Sequence, residues 1–226
     1  MANKTVLIIG ASRGLGLGLA QRFSEAGWAV TATVRSPNGA EALQVLNSVS
    51  VESLDMNHPE QISGLAQRLA GQTFDVIFIN AGIMGPVGDL APVTETQVGE
   101  LFMTNALSPI RVAKALVGQL RPATGVLAFM SSGLGSVQSP DAIEAALYKA
   151  SKAALNSMVN TLTLQLPEPR PTVLSMHPGW VKTDMGGENA EIDVLTSTSG
   201  MLAQLQAWAG KGGHHFINYR GDVLPW

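Results

Sequence analysis

Apolar residues in this chain come in short unbroken runs. Val6-Leu7-Ile8-Ile9, Val76-Ile77-Phe78-Ile79, Val126-Leu127-Ala128-Phe129 and Val173-Leu174-Ser175-Met176 lack the polar alternation of a strand that is wet on one face. They read as central strands of a parallel sheet, buried on both sides. With weaker β-rich stretches added, strands are predicted at 5–9, 29–34, 49–54, 76–80, 126–131, 172–176 and 215–217. Helix-length segments lie between them, near 14–26, 38–47, 59–71, 94–120, 143–166 and 199–210. Strand and helix alternate throughout, which predicts βαβ units and an α/β fold: a single domain over 1–226, doubly wound, with about seven parallel strands and helices on both faces. The piece Leu166-Pro167-Glu168-Pro169-Arg170-Pro171 is expected to stop a helix and lead into a connection, because proline cannot continue one.

Composition narrows the classes of function. The 226 residues are 46% hydrophobic and 14% charged, enough to bury one sizeable core. Fourteen basic residues face 17 acidic ones, net charge −3, with no long run of either sign. Nothing in that balance attracts nucleic acid or an anionic membrane surface. The chain has no cysteine, which excludes disulfides, thiolate metal sites and a thiol nucleophile, and suits the cytoplasm. The start, Met1-Ala2-Asn3-Lys4, enters an apolar run broken by Gly10, too short for a signal segment or a membrane span. A cytoplasmic protein with no membrane partner is expected.

Two local patterns carry chemistry. The first strand ends in Gly10-Ala11-Ser12-Arg13-Gly14-Leu15-Gly16, where glycines allow a tight turn and a close approach of backbone N–H groups to a pyrophosphate. Its spacing is not G-x-G-x-x-G, and the Gly-Lys-Ser/Thr ending of a triphosphate loop is absent, so phosphoryl transfer is disfavoured. Tyr148 and Lys152 stand four residues apart, about one helical turn, so that the cation can favour the phenolate and the phenol can trade protons. Taken alone, such a pair is also what a packed tyrosine beside a solvated lysine looks like.

Taken together and in order, these motifs resemble the short-chain dehydrogenase/reductases of the compact type, which have a Rossmann fold. Ile79-Asn80-Ala81-Gly82 is similar to the family's Asn-Asn-Ala-Gly segment, and Leu54-Asp55-Met56 to its adenine-contacting pair. Thr104-Asn105-Ala106 resembles the segment with its catalytic asparagine, Tyr148 and Lys152 its Y-x-x-x-K element, and Pro178-Gly179 through Val181 to Thr183 its nicotinamide-side loop. Ser131-Ser132 closes the fifth strand, and Ser132 is the preferred carbonyl donor, with Ser131 the alternative. The resemblance implies an enzyme that moves a hydride between a nicotinamide and a carbonyl or alcohol compound. Tyr148 would give the proton, Ser132 a second hydrogen bond, Lys152 a lowered phenol pKa and a hold on the ribose, and Asn105 a water linking Lys152 to solvent. It also implies a homodimer or homotetramer.

Cofactor choice follows from charge. The second strand ends in Val34-Arg35-Ser36, without the acid that accepts from the ribose 2′-hydroxyl of NAD. Arg35 and Arg13 could form a basic clamp on a 2′-phosphate, so NADP(H) is expected. His177, His214 and His215 are spaced for no metal motif, and no metal is expected. Gly85-Pro86, Val87, Leu134 and Trp180 are candidate walls of a substrate pocket, which leave the carbonyl compound unnamed. The rival reading is an NADP(H)-binding redox sensor or signalling protein like the compact C-factor relatives, although a sensor has no need of Ser132, Tyr148, Lys152 and Asn105. A dehydratase or epimerase ranks lower, because little chain follows Thr183 for a substrate domain.

Overall fold

A computed structural model describes residues 4–139 and 142–226; Met1, Ala2 and Asn3, where the reading of the N-terminus began, lie outside the described residues. Seven strands form one parallel sheet: β1 (Thr5–Ile9), β2 (Ala29–Val34), β3 (Val49–Ser53), β4 (Val76–Ile79), β5 (Val126–Met130), β6 (Thr172–His177) and β7 (His214–Asn218). Their order is β3-β2-β1-β4-β5-β6-β7, so the chain winds outward from the middle, returns past its start and winds out the other way. That is the doubly wound arrangement, and its direction reverses between β1 and β4, where Leu7 pairs with Ile77.

The helices are α1 (Gly14–Glu25), α2 (Glu41–Gln44), α3 (Pro59–Arg68), α4 (Glu95–Phe102), α5 (Ser108–Leu116), α6 (Ala146–Gln165) and α7 (Val194–Ala207). Successive side chains on a strand point to opposite faces. Val6, Ile8, Val76 and Phe78 therefore join a layer beneath α1 and α7 with Leu19, Phe23 and Met201, while Leu7, Ile9, Ile77 and Phe129 join one beneath α3, α5 and α6 with Leu65, Leu116 and Leu155. Each such fully buried side chain contributes roughly 1.5–3 kcal/mol. The unbroken apolar runs are explained by these two layers.

Every strand end falls within one residue of its expectation, but several helices do not. The segment 94–120 is not one helix: α4 and α5 are joined by a π turn, Met103–Leu107. Pro109 has no N–H to return to the carbonyl of residue 105, and the Asn105 side chain is tied to another element. The segment 38–47 forms a 3-10 turn, Pro37–Gly39, and the four-residue α2, since Pro37 and Gly39 break the regular helix. The helix expected at 199–210 begins earlier, at Val194, because Asp193 caps it by accepting from Thr196 N at 2.7 Å. No helix among the described residues is long and apolar enough to cross a membrane.

Candidate active site

β1 ends at Ile9, and the chain must turn at once into α1. Gly10 makes the turn at φ +85°, and a Cβ there would stand 2.8 Å from the Ala81 Cβ; at Gly16 it would stand 2.1 Å from the Gly10 carbonyl oxygen. Only glycine fits either position. The Asn80 side-chain amide donates to the Gly10 carbonyl at 2.7 Å, and the Gly10 N–H donates to Thr33 Oγ1 at 2.9 Å, so β4 and β2 hold the turn from both sides. The first turn of α1 has neither an acid nor a side-chain cap, which leaves its N–H groups for an anion.

This turn, with Ser12, Arg13, Gly14 and Leu15, is one wall of a cleft along the C-terminal edge of the sheet. The other walls are Arg35 after β2, Asp55 and Met56 after β3, Asn80, Ala81 and Gly82 after β4, Tyr148 and Lys152 on α6, and Thr183 after β6. Most of the residues expected at a cofactor site are thus brought together. A glycine cradle at an uncapped helix start, with a basic residue at the end of β2, fits a phosphorylated dinucleotide.

At the reacting end, Tyr148 and Lys152 are both buried, one turn apart on α6. Lys152 Nζ donates to the Met130 carbonyl at 2.8 Å and lies 5.7 Å from the centre of the phenol ring. Burial pushes the Tyr148 hydroxyl up to about 12, against the opposing pull of a hydrogen bond with Ser132, and pushes Lys152 down to about 8. The phenol is raised, not lowered as expected of Lys152: burial is the larger cause, the hydrogen bond with Ser132 opposes it, and the ammonium is turned to a backbone carbonyl. In this structure the tyrosine is a neutral phenol, a proton donor.

The paired serines part company. Ser131 Oγ donates to Asn156 Oδ1 at 2.7 Å and anchors β5 to α6, whereas Ser132 partners Tyr148 and accepts from Leu134 N at 3.2 Å. Asn105 is fully buried in the π turn. Its Oδ1 accepts from Ile83 N at 2.8 Å, and its two amide hydrogens go to Ile83 O at 2.7 Å and Ser151 Oγ at 3.0 Å. Its remaining capacity is one lone pair on Oδ1, facing Gly82 beside Lys152 Nζ: a Cβ at Gly82 would be 3.2 Å from the one and 3.3 Å from the other. Asn105 is fully enclosed, whereas Ser132 keeps slight exposure beside Tyr148.

Pro178, Gly179 and Val181 are not on that wall. The Pro178 carbonyl accepts from Ser197 Oγ at 2.6 Å and Val181 is buried against Ile192, so they shape the loop that carries Thr183 to the cleft. The expected two-arginine clamp is also modified: Arg35 is exposed on the wall, but Arg13 Nη1 is paired with Asp184 Oδ2 at 2.6 Å. Sequence reasoning missed Thr33, Asn57, Thr104 and Met185, which line the same cleft. Thr33 gave one signal, as a hydroxyl in an otherwise apolar strand end. His214 partners Ser175 Oγ at 3.0 Å and His215 the Gly212 carbonyl at 2.8 Å, so the one ties β7 to β6 and the other closes a turn. His177 packs against Gly133, and burial pushes it down to about 4. Among the described residues no three His, Cys, Asp or Glu side chains gather as a metal site.

Comparison with known proteins bears on this geometry. The family model for short chain dehydrogenase matches residues 4–193. The C-signal protein of Myxococcus xanthus is 38% identical over 154 residues, covering 67% of this chain and 92% of that one. A carbonyl reductase from Pseudomonas aeruginosa PAO1, solved in complex with NADP, is 39% identical with a TM-score of 0.92, and a short-chain dehydrogenase/reductase from Burkholderia multivorans with bound NADP is 37% identical with a TM-score of 0.92; in both the match covers 100% of each chain.

Proposed function

Because the chain belongs to the short-chain dehydrogenase/reductase family and is an oxidoreductase of that kind, we propose that it transfers a hydride between NADP(H) and a carbonyl or alcohol compound, with Tyr148 as general acid and base. The observation that carries this is the buried neutral phenol of Tyr148, flanked by Ser132 and Lys152, at the end of a glycine-walled cleft. NADP(H) rather than NAD(H) is supported by Arg35 at the end of β2, and by the NADP held by two similar proteins. Gly10, Ser12, Gly14, Leu15 and Gly16 would hold the pyrophosphate, Arg35 the 2′-phosphate, joined by Arg13 if it exchanges Asp184 for that phosphate, and Asp55 and Met56 the adenine. Asn80, Ala81, Gly82 and Thr183 would flank the nicotinamide half, with Pro178, Gly179 and Val181 shaping the loop that carries Thr183 there.

The bound nicotinamide supplies the hydride. Everything else is the work of side chains. Ser132 and Tyr148 donate hydrogen bonds to the substrate oxygen, where negative charge grows as the carbonyl carbon is reduced. Tyr148 then passes its proton to that oxygen, giving the alcohol and leaving a phenolate. Lys152, brought down to about 8 by burial, can give up a proton at little cost near neutral pH and so restores the phenol. Asn105 fixes Ile83 and Ser151 around this group. A second reading, an NADP(H)-binding sensor or signalling protein with little turnover, is favoured by the likeness to the C-signal protein; the retained proton donor weighs against it. The proposal takes residues 1–226 as one cytoplasmic domain assembled as a homodimer or homotetramer.

Loss of NADPH absorbance with a panel of aldehydes, quinones and ketones tests this reading, with NADH and Arg35→Asp run alongside. Arg35→Asp is expected to lower kcat/KM for NADPH about tenfold or more, a charge-assisted bond's worth, while sparing NADH. Equal loss with both cofactors would contradict the assignment of Arg35.

A further inference from the structure

Eleven large hydrophobic side chains are exposed among the described residues. Six of them, Val87, Leu90, Val137, Ile143, Trp180 and Met185, fall in only three loops, those leaving β4, β5 and β6. In a parallel sheet these loops emerge at one edge, the edge where Tyr148 and Lys152 meet the glycine turn. Val137 and Ile143 are 85% and 89% exposed, and the three loops leave adjacent strands, so their apolar groups share one edge of the molecule, where exposed apolar surface marks a binding face. Contacts tie the cluster to the reacting end. Gly88 N donates to the Glu144 carbonyl at 2.8 Å, setting the Val87 loop against Ile143. Met185 stands on the cleft wall with Tyr148, and the Trp180 indole N–H is fixed by the Gly186 carbonyl at 2.8 Å, so its ring is held in place.

The same loops are acidic. Asp184 is matched by Arg13 and Asp193 lies near Lys182, yet Asp89, Glu144, Glu188 and Glu191 are exposed on these loops, four carboxylates against the one further ammonium of Lys149 among the described residues, which donates to the Ser139 carbonyl. Arg35, the basic group suited to a phosphate, stands on the β2 side of the cleft. A molecule entering across the rim therefore loses apolar surface to it and meets a negative field. We infer that this rim selects an uncharged carbonyl compound with a bulky apolar tail and rejects carboxylated or phosphorylated ones; the inference rests on the oxidoreductase reading above.

Two measurements on the full chain with NADPH test it separately from that reading. The first is kcat/KM for para-alkylbenzaldehydes of growing chain length and for para-carboxybenzaldehyde. The second is binding of the matching benzyl alcohols, which cannot react with NADPH, followed by tryptophan fluorescence. Both kcat/KM and affinity are expected to rise about two- to fourfold per methylene, up to the value for full burial. The carboxylate should be at least about tenfold poorer at low salt, with the gap narrowing at about 0.5 M salt, and Val137→Ser with Ile143→Ser should flatten the chain-length slope. A flat slope in alcohol binding, or a carboxylate bound as well as the alkyl compounds, would overturn the inference. Failure to reduce any aldehyde, with alcohols still binding in order of chain length, would overturn the oxidoreductase reading and keep the apolar rim.

Discussion

Lys152 holds its ammonium where water barely reaches, and that makes the residue a term in the stability of the fold as well as in the chemistry. Its folded pKa of about 8 lies below the ordinary 10.5. Between those values the unfolded chain binds a proton that the native protein does not, so stability rises with pH across that window. Below about pH 8 the native state bears the cost of a buried charge. Lys152→Met removes that cost, and the variant is expected to be more stable than the parent at about pH 7, by on the order of 1–3 kcal/mol less the lost bond to Met130. The gap should close toward about pH 10, and denaturant titrations at both pH values measure it; a gap that widens with pH would contradict the burial. Tyr148, raised to about 12, has the opposite sense: its contribution is complete below pH 10 and is lost as pH rises beyond it. The identity of these two residues was legible in the sequence, because a fixed spacing puts them on one helix face. Their protonation was not, since spacing names a neighbour and says nothing about how far water is excluded.

At the scale of elements, the strands could be read because each is a contiguous apolar run, whereas the break between α4 and α5 could not. The helical pattern continues across 94–120, and what opens the π turn comes from other elements. Asn57, after β3, donates to Thr104 Oγ1 at 2.8 Å and accepts from Ser108 Oγ at 2.8 Å. The adjacent Asn105 bonds Ile83 and Ser151, and Ser151 Oγ donates to the Tyr148 carbonyl at 2.7 Å. The turn is thus fastened from the β3 side and from the Tyr148 side of the cleft. Asn57→Ala should cost about 1–3 kcal/mol of stability by leaving two hydroxyls without their partner. It should also lower kcat about tenfold, more than it changes the KM of the aldehyde, because it loosens the segment that carries Asn105. Steady-state kinetics beside a denaturation curve would test this; an unchanged kcat would show that the turn is held without Asn57.

For the whole molecule, one topology places everything. Parallel strands end together at one edge, and the reversal between β1 and β4 opens the cleft there, so residues as far apart in sequence as Gly10 and Thr183 line one cleft. The order of motifs made this part of the site legible, while the Arg13–Asp184 pair, joining residues 171 apart, had no sequence signal. The proposed assembly belongs to this scale too: α4, α5 and α6 would pair subunits, and light scattering at micromolar concentration should give twice or four times the 23.7 kDa chain mass, a monomer contradicting it. The central claim is that Tyr148 provides the proton for hydride transfer, and it is tested most directly by comparing NADPH turnover of one aldehyde by the parent and by Tyr148→Phe, with NADPH affinity measured on both. The account predicts a fall in kcat of about a hundredfold or more, with NADPH affinity held within a few-fold. Turnover by Tyr148→Phe at the parent rate would contradict it.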